Sequence, residues 1–137
     1  MIQFAVSYLE EGESGAIAEI AEEAAREFPE FLWQSSIPEA VERLVEDTRA
    51  LFRAEITARD ATGKLVGFVS LTEDDDSHVG ELMGVQWFYV LPEYRGAVGR
   101  KLVREIHRIA KATGYGVLAY THRLGEGRYE INYRRLN

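Results

Sequence analysis

No cysteine occurs in the 137 residues. That excludes a disulfide, a thiolate metal site and a cysteine nucleophile. No apolar run approaches the ~20 residues that a membrane span needs, so no membrane partner is expected. Met1-Ile2-Gln3-Phe4 shows neither the basic stretch nor the apolar core of a secretory signal, and a cytoplasmic location is the expectation. Two phosphate-binding fingerprints are also missing. There is no Gly-x-x-x-x-Gly-Lys-Ser/Thr and no Gly-x-Gly-x-x-Gly, which excludes a Walker loop and a dinucleotide fold. Asp74-Asp75-Asp76 lacks the ligand spacing and the glycine of a calcium loop, so no metal is expected there. Internal repeats, low-complexity tracts and interdomain linkers are absent as well.

Positive charge is scarce in the first part of the chain. Residues 1–86 hold 6 Lys/Arg against 19 Asp/Glu, a net of −13, whereas residues 87–137 hold 10 against 4, a net of +6. The excess of acid argues against nucleic acid as a partner, because phosphate neutralisation dominates that affinity. The basic part is suited to an anionic ligand and the acidic part to a cationic one. With 46% hydrophobic and 28% charged residues the composition is that of an ordinary globule, and the length suits one domain, residues 1–137.

Periodicity assigns the elements. Gln3–Tyr8 reads as a strand. Ser14 can cap a helix whose Ile17, Ile20, Ala21, Ala24 and Phe28 recur at helical spacing up to Pro29. Ser36 and Glu39 form a capping box around Pro38, opening a second helix that buries Val41, Leu44, Val45 and Leu51. Over Phe52–Asp60, Phe52, Ala54, Ile56 and Ala58 alternate inward against outward Arg53, Glu55, Thr57 and Arg59. Thr62-Gly63-Lys64 then turns the chain into a strand at Leu65–Leu71. Residues 72–80 read as an acidic loop, and Glu81–Leu91 as the next strand. A third helix spans Val98–Thr113, with Leu102, Val103, Ile106, Ile109 and Ala110 inward and Gly114 ending it. His107 is expected to face solvent among arginines, and His78 to lie solvated in the acidic loop. Val117–His122 and Tyr129–Leu136 are the last strands.

The most informative stretch is Gln86–Leu102. An apolar strand meets Pro92-Glu93, then Arg95-Gly96-Ala97-Val98-Gly99, then an amphipathic helix. First-turn N–H groups lack intrahelical partners, the helix dipole favours negative charge there, and glycine admits a phosphate close to the backbone. A phosphorylated ligand is therefore expected.

This stretch resembles the acyl-CoA-binding segment of the GNAT acyltransferase superfamily, through Val90, Pro92, Tyr94, Arg95, Gly96, Gly99 and Leu102. The loop is one residue shorter than the usual family pattern. The resemblance implies an α/β (α+β) fold with a mixed central sheet flanked by helices, in the order β-α-α-β-β-β-α-β-β. It also implies acetyl-CoA as acyl donor and an amine, on a small molecule or a protein, as acceptor. Transfer would be direct, since no acyl-cysteine can form. On the same grounds Phe88, Tyr89 and Val90 would offer backbone to the pantetheine arm. Arg95, Gly96, Ala97, Val98, Gly99 and Arg100 would hold the pyrophosphate. Family members usually place a fourth helix, often bearing an acid tyrosine, after the fifth strand. Only Arg123–Arg128 is available here, too short for that helix.

An amine must lose a proton to attack a thioester, so a base is required. His122, ending the fifth strand, has a suitable pKa range. Glu81, opening the fourth, is the alternative, although it is out of register with the family's usual carboxylate. Gln86 can hold a water but not take a proton. Phe28, Phe31 and Trp33 fall where the acceptor side would be. Tyr129 or Tyr133 could replace the missing acid, with packing the better reading. A non-catalytic module that binds a protein or senses acyl-CoA is the other functional reading, and a homodimer is compatible with either.

Overall fold

The computed structural model describes residues 1–137. Six strands join one sheet in chain order: β1 (Gln3–Leu9), β2 (Arg53–Arg59), β3 (Leu65–Asp76), β4 (Gly80–Val90), β5 (Val117–Gly125) and β6 (Arg128–Arg135). All neighbours are antiparallel except β4 and β5, which are parallel. Three helices flank the sheet: α1 (Ala21–Glu27), α2 (Ile37–Arg49) and α3 (Ala97–Ala112). The element order is the one expected. No helix is long and apolar enough to cross a membrane.

The capping box forms as read. Ser36 Oγ accepts from Glu39 N–H at 3.3 Å, and Glu39 Oε1 accepts from Ser36 N–H at 3.0 Å. Ser14 caps nothing. A 3-10 turn at Ile17–Glu19 precedes α1, whose own start has no side-chain cap. Gly114, at φ +86°, closes α3, and Tyr115 N–H donates to Ala110 C=O across it.

Side chains alternate across the sheet. Val98 and Leu102 of α3 press on Gly67, where a Cβ would sit 3.0 Å from Leu102 and 3.2 Å from Val98. Gly67 pairs with Val90, so Val90 and Phe88 face α3. Tyr89 and Trp87 point to the opposite face. There Phe28 meets Tyr89 edge-on at 6.1 Å, and Phe31 lies 6.2 Å from Trp87.

Three expectations are corrected. The acidic segment 72–80 is mostly strand: β3 runs to Asp76 and β4 starts at Gly80. Cross-strand pairing extends the hairpin, and Asp76 Oδ1 closes its turn by accepting from His78 and Val79 N–H at 3.0 and 2.9 Å. Arg53 and Glu55 are buried, not outward. Loop 10–16 folds over them, with Arg53 Nε donating to Glu55 at 2.7 Å, Arg53 Nη2 to Glu13 C=O, and Ala16 N–H to Glu55 at 2.9 Å. Phe52, Leu51 and Val103, expected inward, are exposed.

Candidate active site

β4 and β5 pair only through Met83 with Leu118 and Gly84 with Ala119. Beyond these residues the strands part. Between Val85 and Trp87, β4 carries one extra residue opposite Ser70 and Leu71, a bulge at Gln86. Gln86 is fixed there. It accepts from Ser70 Oγ at 2.9 Å and donates to Asp47 C=O at 3.1 Å. The split opens a cleft of about 510 Å³ through the sheet, reaching Phe31 and Trp87 on one side and Ile106 and His107 on the other.

A second cavity, about 720 Å³, runs along the start of α3. The two share Phe28, Phe88, Tyr89 and Val103 as walls, so groove and cleft are continuous. At the groove's far end α3 begins at Gly96, φ +97°, with no side-chain cap. Its first N–H groups have no intrahelical partner. A Cβ on Gly99 would meet nothing within 4 Å, so this face of the turn is open. The start of α3 therefore offers unpaired N–H donors beside open space, a cradle suited to an anion.

The candidates from sequence divide accordingly. Phe88, Tyr89, Val90, Arg95, Gly96, Gly99 and Arg100 line the groove. Ala97 and Val98 do not. Val98 is a core side chain against Gly67, leaving only its amide to the cradle. Arg95 has a different job from a free phosphate ligand. Its Nη2 donates to Glu27 at 2.6 and 2.8 Å and its Nε to Val90 C=O at 3.0 Å, while its guanidinium lies 5.6 Å over the Tyr89 ring. Tyr89 OH also donates to Glu27, at 2.7 Å. Burial opposes the charged form of Glu27, but the Arg95 and Tyr89 hydrogen bonds outweigh it and hold the carboxyl below its ordinary range. Burial, then Glu27, pushes Tyr89 well above the usual phenol value. Arg95 thus staples the loop to α1.

Unpaired positive charge comes from Arg100 and from Arg104, which sequence reading overlooked. Both line the groove and neither joins an ion pair. The i,i+4 spacing of Arg104 from Arg100 is the signal that could have found it.

Of the two candidate bases, His122 lines the cleft and Glu81 does not. Glu81 lines a separate 320 Å³ cavity with Glu73 and Tyr115, past the point where β4 and β5 still pair. His107 corrects an expectation. It is half-buried and lines the cleft. Its Nδ1 lies 2.9 Å from Val103 C=O, and its Nε2 is buried without a partner. Trp87 Nε1 is the other buried side-chain atom without one, and Trp87 lines the same cleft.

No helix lies between β5 and β6; the turn is Glu126-Gly127. The hairpin instead docks on the α1–α2 connection. Arg123 donates twice to Glu30, at 2.8 and 2.9 Å, and stacks 5.2 Å over Phe28. Tyr129 OH also donates to Glu30, and Trp33 Nε1 donates to Glu126 at 3.0 Å. The hydrogen bonds from Arg123, then Tyr129, hold Glu30 far below the usual carboxylate range. Tyr133 bonds Asp76 instead, away from the cleft.

A family model described as acetyltransferase (GNAT) family matches residues 17–128. The chain belongs to this family. A GNAT family acetyltransferase from Brucella melitensis, solved in complex with acetyl-CoA, superposes with a TM-score of 0.65 at 17% identity, covering 98% of this chain and 89% of that one. A GNAT family N-acetyltransferase from Escherichia coli, in complex with CoA, gives 0.60 at 23%, covering 88% and 63%. A GNAT family acetyltransferase from Staphylococcus aureus gives 0.61 at 14%, covering 97% and 100%. The curated proteins contain no significant match. Within the family, this GNAT chain has a β-hairpin docked through Glu30 where a fourth helix usually follows the fifth strand.

Proposed function

We propose that this chain moves an acetyl group from acetyl-CoA to a primary amine, in a single domain and without a covalent enzyme intermediate. One observation carries the reading: the uncapped, glycine-lined start of α3 opens into a groove continuous with the cleft where β4 and β5 part. In this reading the Gly96–Arg100 amides hold the pyrophosphate, with Arg100 and Arg104 adding charge. Backbone at Phe88–Val90 meets the pantetheine arm. The thioester carbon then lies in the split, and the amine arrives from the side of Phe31 and Trp87. CoA or acetyl-CoA in the solved relatives from Escherichia coli and Brucella melitensis supports the choice of donor.

His122 is assigned the first proton. A lysine-like ammonium, of ordinary pKa ~10.4, must become neutral before attack. His122 is exposed at the cleft, so it can pass that proton to solvent. Release of CoA over a panel of amines, beside a thermal shift with acetyl-CoA, tests the reading. Both are expected. His122→Ala should lower kcat by ~10²-fold near neutral pH and less as pH rises, since alkali removes the proton unaided. A shift without turnover of any amine would favour the non-catalytic module, a reading that the missing fourth helix and the remote Glu81 keep in play.

A further inference from the structure

We propose that His107 is a catalytic residue that carries a proton from the attacking nitrogen to the departing sulfur. The inference rests on the acyl-transfer reading above.

A carbonyl oxygen can only accept, so the 2.9 Å contact to Val103 C=O requires a proton on His107 Nδ1. In the neutral ring the lone pair then sits on Nε2. That atom is buried, unpaired and part of a side chain lining the cleft. Buried polar atoms are almost always satisfied, and the orphan His107 acceptor and the orphan Trp87 N–H both belong to side chains lining this cleft, which points to a polar group entering it.

The depth is right for the reacting atoms. α3 runs antiparallel to β4: Val98 and Leu102 sit at the Gly67–Val90 end, and Ile109 shares a cavity with Met83 at the other. His107 lies eight residues beyond Gly99, roughly 12 Å along the helix at 1.5 Å per residue. It stands on the α3 side, where an arm leaving the Gly99 cradle descends towards the point at which the strands meet.

The chemistry needs such a group. Attack of a neutral amine on the thioester forms a C–N bond and leaves N–H₂⁺ and O⁻ on one tetrahedral carbon. Nε2 accepts one proton from that nitrogen. The C–S bond then breaks, its electron pair staying on sulfur, and Nε2 returns the proton there. The products are the amide and CoA thiol, and the imidazole is neutral again. This transfer is separate from the one given to His122, which precedes attack.

The charged and titratable neighbours are Tyr89 of β4; Tyr120, His122 and Arg123 of β5; Tyr129 and Arg134 of β6; and Arg104, Glu105, Arg108 and Lys111 of its own helix. Only His122 among them belongs to a residue type that changes charge between pH 5 and 8. The pH profile of His107→Ala is therefore measured beside that of His122→Ala.

The test uses the full chain with acetyl-CoA and whichever amine the wild type turns over best. His107→Ala and His107→Gln should both keep the acetyl-CoA thermal shift and lose about 10²-fold or more in kcat. The loss should persist at alkaline pH, where that of His122→Ala closes. Three results with the variants overturn the proposal. One is an unchanged kcat in His107→Ala. Another is wild-type activity in His107→Gln, which would make the role one of size and hydrogen bonding. The third is loss of the donor shift, which would make His107 a binding or folding residue. Absence of turnover in the wild type would overturn the acyl-transfer reading itself, and this proposal with it.

Discussion

Gly99 is the residue at which binding and stability separate. Its missing Cβ faces open space, so Gly99→Asp should fold. A carboxylate in the first turn even favours the helix dipole by ~0.3–1 kcal/mol. The same carboxylate would repel a pyrophosphate in the cradle. The melting temperature without ligand should hold or rise while the acetyl-CoA shift disappears; a surviving shift would move the phosphates elsewhere. Arg53 and Glu55 show the opposite balance. Their side chains are 0% and 2% exposed, and they bond each other and loop 10–16. Glu55→Gln should cost ~3–5 kcal/mol, because it strands a buried guanidinium. Guanidinium denaturation measures this, and a cost below about 1 kcal/mol, typical of an exposed pair, would mean that water reaches Arg53. Strand alternation puts both residues on the outward face, and nothing local shows that a loop forty residues earlier covers it.

At the scale of elements, the β5–β6 hairpin is held over the cleft by Glu30. Its carboxyl pKa is lowered in the folded state by Arg123 and Tyr129. The unfolded value is the ordinary ~4.3. The tether's contribution is therefore complete above that value and lost as pH falls through the lower folded one. Melts of the wild type and Glu30→Gln should differ at neutral pH and converge in acid. A gap that stays constant down to strongly acidic pH would remove the charge from the tether. The hairpin also explains how the fold closes without a fourth helix. Gly127, at φ +71°, lets the turn approach Trp33 so closely that a Cβ would sit 2.8 Å from its ring.

Across the whole molecule, charge is divided by sequence position and gathered by the fold. The net charge is −7, yet the groove presents Arg100 and Arg104 without carboxylate partners. Acetyl-CoA affinity should fall between low and physiological salt, where screening shortens to ~8 Å. Calorimetric titration at two ionic strengths reads this directly. Salt-independent binding would assign the affinity to backbone amides and apolar walls.

Local patterns determined the order of the elements, the Ser36–Glu39 box, the Gly96–Gly99 loop and, through the motif, the family. Each depends on spacing within a few residues, and chain geometry converts that spacing directly into structure. The tertiary structure decided the rest. Arg95 was legible as a loop residue, but its engagement by Glu27 across 68 positions was not. His107 was read as solvated because helical periodicity gives a direction but not what lies there. Only the parting of β4 and β5 beyond Gly84 makes that direction a cleft. Glu81 stands at the start of β4 and His122 within β5, and only the sheet's register puts His122 at the split and Glu81 beyond it. Which side chains share a cavity is a property of long-range packing, set by contacts that no local pattern encodes.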